Sequence, residues 1–100
     1  MTKRIALSIN NEPIELDYFV QGFIDHTTGG IVEALRGTGK INTLHISIET
    51  SDVKITLNNG IVPINTFAGK IIKNTLFGMA SSLKGVDNIS QLEIDIERTD

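Results

Sequence analysis

Apolar residues in this chain alternate with polar ones in some stretches and recur every three or four residues in others. Ile5, Leu7 and Ile9 alternate with Ala6 and Ser8, and Val53, Ile55 and Leu57 alternate with Lys54 and Thr56. Leu44, Ile46 and Ile48 alternate with His45, Ser47 and Glu49; Leu92, Ile94 and Ile96 alternate with Glu93, Asp95 and Glu97. A period of two marks strands with one buried and one wet face. The helical period appears in Phe19, Val20, Phe23, Ile24, Thr27, Ile31 and Leu35, and again in Phe67, Ala68, Ile71, Ile72, Thr75, Met79 and Leu83. Each set falls on one face of a helix and predicts its buried stripe. Asp17 and Asn65 suit the N-caps, and Gly37 and Gly85 suit left-handed C-terminal caps. The helices are therefore expected over 18–36 and 66–84.

The pattern occurs twice. Residues 4–49 align on residues 52–97 at a constant offset of 48 without a gap, and 13 of the 46 pairs are identical. Asn10/Asn58, Asn11/Asn59, Phe19/Phe67, Ile24/Ile72, Gly30/Gly78 and Glu49/Glu97 are among them. Each half reads strand, turn, strand, helix, strand, so the chain predicts a tandem ββαβ repeat with pseudo-symmetry. Asn59-Gly60 is a strong two-residue hairpin loop, because Asn and Gly tolerate the positive φ of primed turns. It sets Leu57 against Val62 and Ile55 against Ile64. The same register, with the weaker loop Asn11-Glu12, sets Ile9 against Ile14 and Leu7 against Leu16. Pro13 and Pro63 lack the N–H a ladder needs, so the second strand of each half is expected to be short, bulged or at an edge. The short link Thr50-Ser51-Asp52 makes strands 41–49 and 52–58 neighbours.

All strands offer one apolar face, and two amphipathic helices are available to cover it. The expected fold is α+β: a two-layer sandwich of a mainly antiparallel sheet with both helices on one face. Neither half can bury its own stripe well, so residues 1–100 read as a single domain with one core.

Composition narrows the function classes. The chain has no cysteine, which removes disulfides, thiolate metal sites and cysteine nucleophiles. Its net charge of −3 argues against nucleic acid and membrane surfaces. No apolar run reaches a bilayer-spanning length, and Met-Thr-Lys-Arg leads into a strand rather than a secretion signal, so the expected location is cytoplasmic. The tandem α+β layout resembles that of TATA-binding proteins. It departs from them in its acidic balance and in having no Phe on the outward side of a strand, where that family carries DNA-kinking wedges above a basic surface.

Candidate chemistry is sparse. Gly37-Thr38-Gly39-Lys40 closes a helix and opens a strand, the reverse of a phosphate loop, and is read as a cap and turn. His45 faces outward near Ser47, Glu49 and Glu93, while His26 belongs to the helix layer, so the two do not form a metal site. The acids Glu93, Asp95 and Glu97 are read as edge protection and solubility. No nucleophile motif is present. Catalytic, cofactor-binding and metal residues are therefore all assigned as none.

The asymmetric positions point elsewhere. Gly29 corresponds to Phe77, a large apolar residue on a helix side expected to be exposed; it is expected either to fill the groove at Gly29 or to meet another copy. Gly30 and Gly78 are read as close-packing positions. Asp25, with Glu33 and Arg36, opposes Lys70, Lys73 and Lys84 on the other helix, and Asp25 and Lys73 are repeat equivalents of opposite sign. Gly29, Phe77, Lys70, Lys73 and Asp25 thus form the candidate interaction surface, with the polar outer face of the sheet as the other option. The chain reads as a small interaction or binding module, its partner itself as a homodimer or another protein. The alternative is a small enzyme or ligand-binding protein with a pocket between the helices near Gly29, Gly30 and Phe77.

Overall fold

Two asparagine turns fix the frame of this protein, whose computed structural model describes residues 2–36, 40–50, 52–83 and 88–99. The elements in chain order are β1 (Thr2–Ile9), β2 (Glu12–Ile14), α1 (Tyr18–Arg36), β3 (Thr43–Glu49), β4 (Asp52–Leu57), β5 (Gly60–Val62), α2 (Thr66–Ser81) and β6 (Gln91–Thr99). Asn10 and Asn11 link β1 to β2, and Asn58 and Asn59 link β4 to β5, all four with φ between 49° and 69°. The hairpins therefore turn earlier than the Asn59-Gly60 and Asn11-Glu12 loops predict. Ile55 pairs with Val62 and Leu57 with Gly60; Leu7 pairs with Ile14 and Ile9 with Glu12. The slip is two residues, so every side chain keeps its expected face.

The reason lies in the first asparagine of each turn. Asn58 Oδ1 accepts hydrogen bonds from the backbone N–H groups of Asn42 (2.7 Å) and Thr43 (3.0 Å), and its Nδ2 donates to the Lys40 carbonyl (2.9 Å). Asn10 Oδ1 accepts from the N–H groups of Ser90 (2.8 Å) and Gln91 (3.1 Å), and its Nδ2 donates to the Asn88 carbonyl (3.1 Å). Each turn thereby holds the segment that enters a central strand.

The six strands form one antiparallel sheet in the order β2-β1-β6-β3-β4-β5. The two strands expected to be weakened by proline, β2 and β5, are three residues long and occupy the two edges. β3 and β4 are neighbours, as their short link predicts. On the inner face, Ile14, Leu7, Ile94, Ile46, Ile55 and Val62 stand in one cross-strand row spanning all six strands. Ile24 and Val32 of α1 and Ile72, Leu76 and Ala80 of α2 pack into the same apolar cluster as these strands. Both helices thus cover one face, and the shortest dimension of the molecule, 18 Å, is that of two layers.

Asp17 Oδ1 accepts from the Val20 N–H at 2.8 Å and Asn65 Oδ1 from the Ala68 N–H at 2.7 Å, so both N-caps are as expected. α1 spans the predicted range. α2 stops at Ser81, with Ser82 as its C-cap, short of the predicted end at Lys84. The Ser81 hydroxyl donates to the Gly78 carbonyl at 2.9 Å, competing for the last turn. The caps expected at Gly37 and Gly85 lie outside the described residues. No helix among the described residues is long and apolar enough to cross a membrane.

Candidate interaction surface

The helices sit on the sheet through a narrower and rotated stripe than their sequences suggest. In α1 the buried positions are Ile24, Asp25, Thr28 and Val32; in α2 they are Ile72, Leu76 and Ala80. Nine residues are about two and a half helical turns, so Phe19 points away from Thr28 and Phe23 from Val32. The same spacing turns Phe67 away from Leu76 and Ile71 away from Ala80. Phe19 and Phe67, both expected in the core, are 74% and 73% exposed, and Phe23 and Ile71 are 48% and 49% exposed. The Phe19 and Phe23 rings lean together, with centroids 6.1 Å apart. Tyr18 beside them is also exposed.

Small residues continue these outward stripes toward the C-terminal ends: Gly30 and Ala34 on α1, and Gly78 of α2 with its C-cap Ser82, all exposed. A Cβ built at Gly30 or Gly78 meets no described residue within 4 Å, which corrects the expectation that these glycines allow close packing within the chain. The outer surface of the helix layer thus combines large apolar residues in its N-terminal halves with small ones in its C-terminal halves.

The residues singled out from sequence are not gathered in one patch. Asp25 is buried rather than solvated: Arg98 Nη2 donates to its Oδ1 at 2.6 Å and Lys3 Nζ to its Oδ2 at 2.9 Å. Burial pushes this carboxyl up, but the hydrogen bonds and charges of Arg98 and Lys3 outweigh it and hold its pKa below the ordinary aspartate value. Gly29 lies on the same side of α1, and among the described residues a Cβ there meets only Arg98 Nη2, at 3.7 Å. Phe77 is half-buried against the core and does not fill the space at Gly29. Lys73 Nζ stands 5.5 Å from the Phe77 ring centroid, a cation–π contact within α2. Lys70 is exposed and borders a recess with Lys73, Gly69, Asp52 and Asn65 at the start of α2. Thr28, next to Gly29, is buried with its hydroxyl donating to the Ile24 carbonyl at 2.7 Å.

The opposite, outer face of the sheet is polar. Ala6, Asp95, His45, Thr56 and Ile61 form one row across five strands. His45 Nδ1 and Asp95 Oδ1 are 2.6 Å apart, within a recess of about 260 Å³ that Arg4, Thr43, Thr56 and Glu97 also border. With Nδ1 donating to Asp95, the imidazole keeps Nε2 for a further hydrogen bond. Arg4 and Glu97 form an exposed pair at 3.8 Å, of little energetic weight. Among the described residues, no three histidines or acids come together as a metal site.

The sequence pattern missed Phe19, Phe23, Phe67 and Ile71 as surface residues because both helices carry two overlapping apolar stripes. Ile24, Thr28 and Val32 parallel Ile72, Leu76 and Ala80 at the same offset of 48. That second pair of stripes was the signal available. No protein-family model, curated protein or solved structure matches the chain.

Proposed function

We propose that this chain is a protein-interaction module, built by duplication of one ββαβ unit, which presents its helix layer to an apolar partner surface. One observation carries the reading: Phe19, Phe23, Phe67 and Ile71 stand in solvent at corresponding places on both helices. Single exposed apolar residues are ordinary, but large ones at repeat-equivalent places on both helices of one layer mark a contact surface. The duplication is supported by the sequence repeat and by the pairing registers. Shifting residues by 48 converts the β1–β6 pairing of Leu7 with Ile94 into the β4–β3 pairing of Ile55 with Ile46. It also maps the Asn10 turn onto the Asn58 turn. An ancestral half-length unit would then have assembled as a pair, with each copy contributing one helix to the contact layer.

Fluorescence of the dye ANS under native, dilute conditions tests the surface. The wild-type protein is expected to bind the dye, and a Phe23→Ser, Ile71→Ser double variant is expected to lose that binding while keeping its circular dichroism spectrum. Unchanged dye binding in a folded double variant would refute the reading.

A further inference from the structure

We infer that the partner of the helix layer is a second copy of this chain, packed face to face so that α1 of one copy runs antiparallel to α2 of the other. The inference rests on the helix layer being an interaction surface and goes on to name what covers it. Its ground is self-complementarity. On α1 the outward stripe runs Phe19, Phe23, Gly30, Ala34; on α2 it runs Phe67, Ile71, Gly78, Ser82, at the same spacing. An antiparallel crossing brings the start of one stripe to the end of the other. Seating Phe23 over Gly78 of the other copy places Phe19 over Ser82, and the same register places Ile71 over Gly30 and Phe67 over Ala34. Every large residue then meets a small one, the condition for close helix packing.

The glycines strengthen the case. Glycine is the poorest helix former after proline, and none of the described residues approaches the open space at Gly30 or Gly78. An aromatic ring from a second copy would use that space. Charge agrees with the same register. None of the eight stripe residues is charged, so two copies of net charge −3 bring no like charges together along the seam. At the flank, Glu33 of α1 falls across from Lys70 of the other copy's α2, so opposite charges meet. Area suffices: helices of 19 and 16 residues are roughly 28 and 24 Å long and about 10 Å wide. Two of them offer roughly 500 Å² per copy, and the pair roughly 1,000 Å², the lower bound for a specific interface.

Sedimentation equilibrium on the full chain tests the inference. The wild type is expected to dimerise, with Phe23→Ser raising the dissociation constant roughly 30-fold or more, as loss of a buried aromatic anchor does. Gly78→Phe, which fills the seat, is expected to give a folded monomer; if it misfolds, Phe23→Ser decides alone. Because the chain has no cysteine, mixing a Glu33→Cys protein with a Lys70→Cys protein under oxidation reports the register. A disulfide-linked heterodimer forming faster than either homodimer is the predicted result. A dimer insensitive to Phe23→Ser, or a wild type monomeric at every concentration, would overturn the second copy as partner. In the monomeric case, dye binding that Phe23→Ser, Ile71→Ser abolishes would still uphold the interaction surface, and its absence would overturn both.

Discussion

Arg98 Nη2 donates a 2.6 Å hydrogen bond to Asp25 Oδ1, fastening the last strand of the sheet to the middle of the first helix. Lys3 reaches the other carboxylate oxygen from the first strand, so one buried acid joins β1, β6 and α1. Arg98 Nε is itself buried and has no partner among the described residues, which leaves that guanidinium dependent on Asp25 for its compensation. Asp25→Ala is expected to lower stability by about 2–3 kcal/mol, because it strands two cations, one of them largely buried. Urea denaturation checks this; a loss below about 0.5 kcal/mol would place the cluster among ordinary surface pairs.

The same carboxylate sets an acid limit. Its folded pKa lies below the ordinary aspartate value of 3.8, so the unfolded chain takes up its proton first as pH falls. The stabilisation is complete above the unfolded value and fades as pH drops through the lower folded value. Asp25→Asn is expected to lack this part of the acid dependence. Wild type and variant should therefore converge in stability below the folded pKa, separate as pH rises toward 3.8, and keep a constant gap above it. Parallel curves throughout would contradict the assignment.

Adjacent asparagines in one turn should respond oppositely. Asn59 has φ of 69°, a conformation glycine adopts at no steric cost, so Asn59→Gly is expected to be neutral or slightly stabilising. Asn58 has φ of 49° but holds Lys40, Asn42 and Thr43 through its side chain. Asn58→Gly is expected to cost about 1–3 kcal/mol by leaving those backbone groups unpaired. Thermal unfolding of the two variants side by side provides the comparison, and equal midpoints would remove the bracketing role.

Gly30→Ala and Gly78→Ala should each raise the stability of the isolated chain by up to about 1 kcal/mol, since the added methyl enters open space on a helix. Measured at concentrations where the protein is monomeric, a destabilisation by either would mean that the helix layer packs differently.

Much of this architecture was legible because strand alternation depends only on which face is wet. The rows through Leu44, Ile46, Ile48 and Leu92, Ile94, Ile96 are buried as their spacing requires. Helix boundaries were legible where a side chain caps them, at Asp17 and Asn65, and not at the end of α2, where Ser82 rather than a glycine closes the helix. The hairpin loops lie one residue earlier than expected, a register shift of two, because turn propensity favours Asn-Gly, whereas the structure uses the first asparagine's side chain as a bracket. That bracket reaches Lys40 and Asn42 from Asn58, a tertiary relationship no local pattern encodes. The rotation of the helices is the largest departure from the sequence pattern. Phe19 and Phe67 look like core residues on hydrophobicity alone, but Thr28 and Ala80 are the fully buried positions, so the helices meet the core on their other stripe. Asp25 looked solvated for the same reason, since its partners Lys3 and Arg98 lie 22 and 73 residues away.

Hydroxyl-radical footprinting of the wild-type protein, compared between dilute and concentrated solutions, tests the central claim most directly, because it reads the oxidation of each side chain. Phe19, Phe23, Phe67 and Ile71 are predicted to become protected as concentration rises, while Ile61 on the outer face of the sheet stays reactive. Protection at Ile61 and His45 with the four helix residues unchanged would contradict the account.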